Sequence, residues 1–256
     1  MPISGSIPCL ILAAGRGERM RPLTDFLPKP LLEVQGKSLL TWHLENLQVS
    51  DIQHVVINLA WLGEKISATL GSGIRFGLHI DYSPENEALE TAGGICQALP
   101  ILNPEDYFIV INGDIFCPNF PIRHLVAVLA QMRLASSRKL AHLILVPNPS
   151  QHPDGDFYLQ GDLVWADEAA KMVMSNGLNQ TAKLSLNVER LTFSGIGIYH
   201  RELFKDLVPG EKVKLAPLLI SAMAKNQVTG EKYLGSWHDV GSPERLIKLN
   251  QAINNP

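Results

Sequence analysis

The stretch Leu10–Pro30, LILAAGRGERMRPLTDFLPKP, limits what this chain can fold into more than any other. An apolar run, Cys9–Ala14, reads as a strand and ends on Gly15, Arg16 and Gly17. A glycine-rich turn after a parallel strand exposes backbone N–H groups that cradle phosphate oxygens. In a dinucleotide-binding unit a helix of about ten residues or more starts at that turn. Here Met20 fills the slot of a third glycine, and Pro22, Pro28 and Pro30 argue against a long helix. Glu33 alone lies near the spacing expected of a ribose-binding acid, and it follows the prolines. The stretch is therefore read as a braced loop. It carries Arg16, Arg19, Arg21 and Lys29 against Glu18 and Asp25. Arginine grips phosphate oxygens bidentately and lysine acts as a point charge. Such groups suit a triphosphate attacked at its α-phosphorus, a reaction driven by positioning and charge neutralisation.

Beyond the loop, β-rich runs alternate with helical patterns. Strands are predicted at 54–58, 78–82, 107–111 and 142–146, and helices at 39–48, 62–70, 94–99 and 122–132. This alternation predicts an α/β fold with a mostly parallel sheet covered on both faces. After about residue 148 the texture changes. A polar loop leads to a hairpin, 157–159 with 163–165, and a polar excursion at 167–190. A strand at 191–199, a helix at 215–225 and a final strand at 233–240 follow. Ser242 as N-cap and Pro243 at the first helical position then open a last helix. A single domain over 1–256 is expected, with one half about 8–147 and the other about 148–256.

Net charge is −3 and the isoelectric point about 6.2, so no global basic field draws nucleic acid or an anionic membrane. No apolar run approaches the roughly 18 residues of a spanning helix. The N-terminus lacks a basic n-region, so a cytoplasmic protein is expected. Cys9, Cys96 and Cys117 fit no metal-ligand spacing and read as buried free thiols.

AAGRGERMRPLTDFLPKPLLEV resembles the signature of the sugar nucleotidyltransferases, with Ala14 in place of the usual first glycine and Met20 in place of a leucine. Glu90-Thr91-Ala92-Gly93, Asn112-Gly113-Asp114 and Trp237-His238-Asp239-Val240-Gly241 match further stretches of that family. The resemblance implies a single Rossmann-like domain with a mixed, mostly parallel sheet flanked by helices. One half would bind the nucleotide and the other the sugar phosphate. It implies that Ala14, Gly15, Gly17, Glu18, Arg19, Lys29, Glu90, Thr91 and Gly93 hold the nucleotide, with Arg19, Lys29 and Asp114 catalytic. Asp114 and Asp239 would bind Mg²⁺, which prefers one or two carboxylates beside phosphate oxygens and water. Val56–Ile66, Tyr82–Ile95, Asn148–Leu159, Leu191–His200 and Lys214–Leu219 carry the resemblance further. They imply that Asn112, Asp156, Gly195 and Lys214 face the sugar phosphate. The substrate pair favoured by the same stretches is UTP with N-acetylmuramate 1-phosphate, in cell-wall sugar recycling. GTP with mannose 1-phosphate, or dTTP or UTP with glucose 1-phosphate, are the alternatives. A non-catalytic nucleotide-sugar sensor on the same fold is the competing class. With no C-terminal repeats of the kind that build trimers, a monomer or homodimer is expected.

Overall fold

A computed structural model describes residues 7–166 and 188–254. The polar excursion read at 167–190 lies outside the described residues up to 187; Glu189 and Arg190 begin a strand.

The strands are β1 (Cys9–Leu12), β2 (Glu33–Val34), β3 (Lys37–Ser38), β4 (His54–Leu59), β5 (His79–Pro84), β6 (Tyr107–Asn112) and β7 (Ile115–Phe116). They continue with β8 (Ala141–Val146), β9 (Phe157–Gln160), β10 (Leu163–Trp165), β11 (Glu189–His200), β12 (Val228–Lys232) and β13 (His238–Asp239). The helices are α1 (Leu39–Gln48), α2 (Gly63–Leu70), α3 (Glu90–Leu102), α4 (Ile122–Leu134), α5 (Leu215–Met223) and α6 (Pro243–Asn254). Among the described residues the main sheet runs β5-β4-β1-β6-β11-β8-β12-β10-β9, with β9 also pairing β11. The first four strands are parallel, and β11 runs antiparallel to both β6 and β8. The α/β class with a mixed sheet is found as expected: β5, β4, β1 and β6 run parallel, and so do β8 and β12.

Period-two alternation divides the core into two layers. Cys9, Ile11, Val55, Ile57, Ile109 and Ile111 face the layer that holds Leu40 and Leu44 of α1, Ile66 of α2 and Leu125 of α4. Leu10, Val56, Phe108 and Val110 face the layer of Ile95 in α3 and Leu219 in α5. Helices therefore cover both faces.

A third cluster positions the site. Met20, Leu32, Val34, Leu39, Phe116, Val240, Leu246 and Leu249 pack together. They tie the glycine loop to β7, β13 and α6. Met20 is only 1% exposed, and burying a side chain of that size is worth about 1.5–3 kcal/mol. The residue in the third-glycine slot is thus an anchor that holds the loop onto the domain.

Two predicted elements differ. Of the strand read at 233–240 only β13 forms, because Gly235 and Ser236 break the run, and β12, at Val228–Lys232 before that span, pairs with β8. Helix α3 begins at Glu90, four residues before the predicted start. Gly93 and Gly94 weigh against helix by propensity. Ala92 and Gly93 nevertheless donate their amides to the Val213 carbonyl, so tertiary contacts fix this first turn.

Candidate active site

The C-terminal ends of β1, β4, β5 and β6 open onto one cleft of about 440 Å³. Ligands of open α/β sheets bind at strand ends of this kind. Ala14, Gly15, Gly17, Glu18, Arg19 and Lys29 line it from the loop, Glu90 and Thr91 from α3, and Asn112 and Asp114 from the end of β6. The loop runs through three short 3₁₀ turns, Glu18–Met20, Leu23–Asp25 and Lys29–Leu31. Gly17 has φ +67, and a Cβ there would lie 3.1 Å from Lys29 Cβ and from Thr24 Cγ2. Only glycine takes that backbone without strain and lets the loop fold over Lys29.

The four cations of the loop have different surroundings. Arg16 donates to the Thr24 carbonyl (2.9 Å) and to Asp25 Oδ1 (3.1 Å), and its guanidinium lies 3.7 Å from the centre of the Trp61 ring. Arg21 donates to the same Asp25 oxygen at 2.8 Å. The hydrogen bond from Arg16, with Arg21 beside it, holds the Asp25 carboxyl below its ordinary pKa against the opposing pull of desolvation. Arg16 and Arg21 therefore brace the loop. Arg19 is exposed on the cleft wall and has no ion-pair partner among the described residues. Lys29 is 7% exposed, and its Nζ lies 2.6 Å from Asp114 Oδ2.

Asp239 is brought to the same region by strand pairing. β13 lies antiparallel on β7, with Asp239 opposite Ile115 and His238 opposite Phe116. The residue after Asp114 is thus the cross-strand neighbour of Asp239. Arg245 of α6 donates to Asp239 Oδ2, and Trp237 Nε1 donates to the Ser194 carbonyl at 2.9 Å. Gly241, two residues after Asp239, lines the cleft, whereas Asp239 itself lines a second pocket with Trp237, His238 and Arg245. Each carboxylate is held by one cation, Asp114 in the turn before β7 by Lys29 and Asp239 on β13 by Arg245. Two such hard oxygen donors suit Mg²⁺, which takes one or two carboxylates and fills its octahedron with phosphate oxygens and water. The donor set therefore fits that ion.

The remaining expected residues stand further back. Gly195 has φ +84, and a Cβ there would lie 2.7 Å from Asn112 Nδ2. It lets the irregular stretch of β11, where the register with β8 shifts between Phe193 and Gly197, press on Asn112. Gly93 donates its amide to Val213 and lies behind the wall formed by Glu90 and Thr91. Asp156 accepts from His152 Nε2 (3.0 Å) and from the Phe193 amide (2.8 Å), next to the same part of β11. Lys214 is exposed at the N-cap of α5. None of these four lines the cleft described above.

The structure adds residues that the sequence motifs did not single out. Asn58, at the end of β4, accepts the Ala13 amide (2.6 Å) and donates to Glu85 Oε1 (2.7 Å); Glu85 Oε2 accepts the Leu89 amide (3.0 Å). Both side chains are buried on the cleft wall. Burial raises the Glu85 pKa, opposed by the bonds from Leu89 and Asn58. Glu90 has φ +63, which is strained for a residue with a side chain, and it sits at the cleft margin. His43 of α1 lies beneath Asp114: burial pushes its pKa down to about 4, opposed by a contact with the Ile115 backbone and by the charge of Asp114. Isolated polar residues in apolar strands or helices, such as Asn58 and His43, were the available sequence signals.

Parallel strand ends of a mixed sheet that meet a cationic, glycine-shaped loop and the Lys29–Asp114 pair define a nucleotide-handling α/β protein. The chain belongs to the nucleotidyl transferase family, whose model matches residues 9–255. It is 46% identical over 248 residues to the N-acetylmuramate alpha-1-phosphate uridylyltransferase of Neisseria meningitidis serogroup B, covering 95% of this chain and 96% of that one. The enzyme of the same name from Caulobacter vibrioides is 29% identical over 253 residues, with 95% and 96% covered. A putative glucose-1-phosphate thymidylyltransferase from Bacillus anthracis, solved in complex with a sucrose, shares the fold at a TM-score of 0.75 and 20% identity, over 98% of this chain and 96% of that one.

Proposed function

We propose that this protein joins UTP to N-acetylmuramate 1-phosphate, giving the nucleotide sugar and pyrophosphate, in cytoplasmic cell-wall sugar recycling. The observation that carries the reading is the buried Lys29 paired with Asp114 at the cleft floor, beside Arg19, which has no ion-pair partner among the described residues. Likeness to N-acetylmuramate alpha-1-phosphate uridylyltransferases over nearly the full length of both chains supports the substrate pair.

The sugar phosphate oxygen attacks the α-phosphorus in line, and pyrophosphate leaves. The nucleophile is already anionic at neutral pH, so no general base is needed. Gly15 and Gly17 shape the loop around the triphosphate. Arg19 neutralises its outer charge, and Lys29 stabilises charge near the reacting phosphorus. Glu90 and Thr91 flank the base, while Asn112, with Gly195 and Asp156 behind it, orients the sugar. Lys214 is assigned to the sugar phosphate. Asp114 and Asp239 would hold Mg²⁺, which when bound draws the two anions together by neutralising phosphate charge. A monomer or homodimer suffices for this chemistry.

Pyrophosphate release from a matrix of nucleoside triphosphates and sugar 1-phosphates, with and without Mg²⁺, tests the reading. The highest kcat/KM is expected for UTP with N-acetylmuramate 1-phosphate, in Mg²⁺ only. Faster release with GTP and mannose 1-phosphate, or with dTTP and glucose 1-phosphate, would replace the substrate pair. Tight nucleotide binding without release from any pair would make the protein a sensor.

A further inference from the structure

The far end of the sheet carries a second cluster of chemistry-bearing side chains, unconnected with the cleft. His54 opens β4 and His79 opens β5, and the parallel register sets them directly opposite one another. Asp81 follows two residues along β5, so it projects to the same face as His79. His54 Nε2 lies 2.9 Å from Asp81 Oδ2, and His79 Nε2 lies 3.2 Å from the same oxygen. The two imidazoles stack with centroids 5.6 Å apart. All three ligand atoms fall within 4.8 Å of one another, and no other group of three such side chains among the described residues does so.

We propose that His54, His79 and Asp81 bind a divalent first-row transition ion of the zinc class. Zinc–nitrogen and zinc–oxygen bonds of about 2.0–2.2 Å set tetrahedral ligands roughly 3.3–3.5 Å apart. The two observed separations reach that spacing after shifts of a few tenths of an ångström. Two imidazoles and a carboxylate fill three corners, and the exposed side of His79 admits water to the fourth. The donor chemistry separates this site from the cleft: imidazole nitrogen favours zinc, nickel or copper, whereas carboxylates with phosphate favour Mg²⁺.

The site fastens β5, an edge strand of the sheet, to β4. Asn58 lies four residues along β4 from His54, which at the rise of a strand is about 13 Å. The ion is therefore a structural clasp and takes no part in phosphate chemistry. Edge strands expose unpaired backbone groups and are prone to mispairing, and a metal bridging two strands at their first residues opposes fraying there.

Zn²⁺ titration of the whole protein in excess Mg²⁺, followed by calorimetry and by imidazole proton resonances, tests the proposal. One saturable equivalent is expected, shifting His54 and His79 together and raising the melting temperature. His79→Gln and Asp81→Asn should each weaken binding roughly tenfold or more, while nucleotide binding stays unchanged. Zn²⁺ that leaves the His54 and His79 resonances of the unaltered protein in place, or that binds His79→Gln with unaltered affinity, overturns it. The first of these outcomes needs no variant, so a substitution that harms folding does not shield the idea.

Discussion

Asp25 and Glu85 are both acids near the cleft, yet they serve opposite ends. Asp25 gathers Arg16 and Arg21 and so removes two cations from the phosphate surface. Glu85 joins three segments through one carboxylate: the entry to α3 by the Leu89 amide, β4 by Asn58, and, through Asn58, the start of the glycine loop at Ala13. Both of its oxygens accept, and a carboxamide has only one acceptor. Glu85→Gln therefore turns an N–H₂ group toward either Asn58 Nδ2 or the Leu89 amide, and leaves buried donors facing each other. Such a mismatch costs about 1–3 kcal/mol. We expect urea melts to show a loss of that size and KM for the nucleotide to rise more than kcat falls, because the linked segments shape the nucleotide wall and carry no reacting atom. Wild-type stability together with wild-type KM would show that the network is incidental.

At the scale of elements, β11 matters most, since it runs antiparallel between β6 and β8 and brings the C-terminal half against the cleft. Its irregular stretch works through Gly195, whose φ of +84 and contact with Asn112 leave no room for a side chain. Gly195→Ala adds the strain of a left-handed backbone, on the order of 1–2 kcal/mol, and pushes Asn112 from its place. The expected result is a lower melting temperature and a larger drop in kcat/KM with respect to the sugar phosphate than to the nucleotide. Equal drops for both substrates would separate Gly195 from the sugar side. Elements with strong periodicity, such as β1, α1, β6 and α4, were legible in the sequence because their alternation matches two-layer burial. The start of α3 was not, because two glycines there are held helical by contacts to Val213, more than a hundred residues away. β12 was obscured for a similar reason: it is a strand because β8 accepts it, and aromatic Tyr233 and Trp237 drew the reading past its end.

For the molecule as a whole, the loop was legible because its chemistry is contiguous, whereas the placing of Asp239 opposite Ile115, the residue after Asp114, depends on the pairing of β7 with β13 and on the third apolar cluster. Spacing along a chain carries no information about that juxtaposition; only the resemblance suggested it. Asn58 and Glu85 were not singled out because a lone polar residue at the end of an apolar strand is a signal that names no partner. Burial on both faces of the sheet also sets how the fold responds to acid. Burial lowers the pKa of His43 from 6.5 to about 4 and lowers those of His142 and His200 as well. Below pH 6.5 the unfolded chain takes up protons that the folded chain refuses, so the unfolded state gains and stability falls with pH. For His43 the loss begins near pH 6.5 and is complete once pH passes below about 4, where both states are protonated. A shift of that size corresponds to about 3 kcal/mol. Asp25, Asp106 and Glu202, whose pKa values hydrogen bonds from arginine partners hold low against desolvation, add stability that is present above the ordinary carboxylate range and is lost as pH falls through their lowered values. Urea midpoints should therefore decline steadily between pH 7 and pH 4, roughly the window set by the histidine shifts. His43→Leu, which removes a buried imidazole whose Nε2 has no hydrogen-bond partner, should flatten that decline. A midpoint independent of pH across this range, or a slope unchanged in His43→Leu, would mean that the folded protein accepts the proton and that α1 yields to admit water.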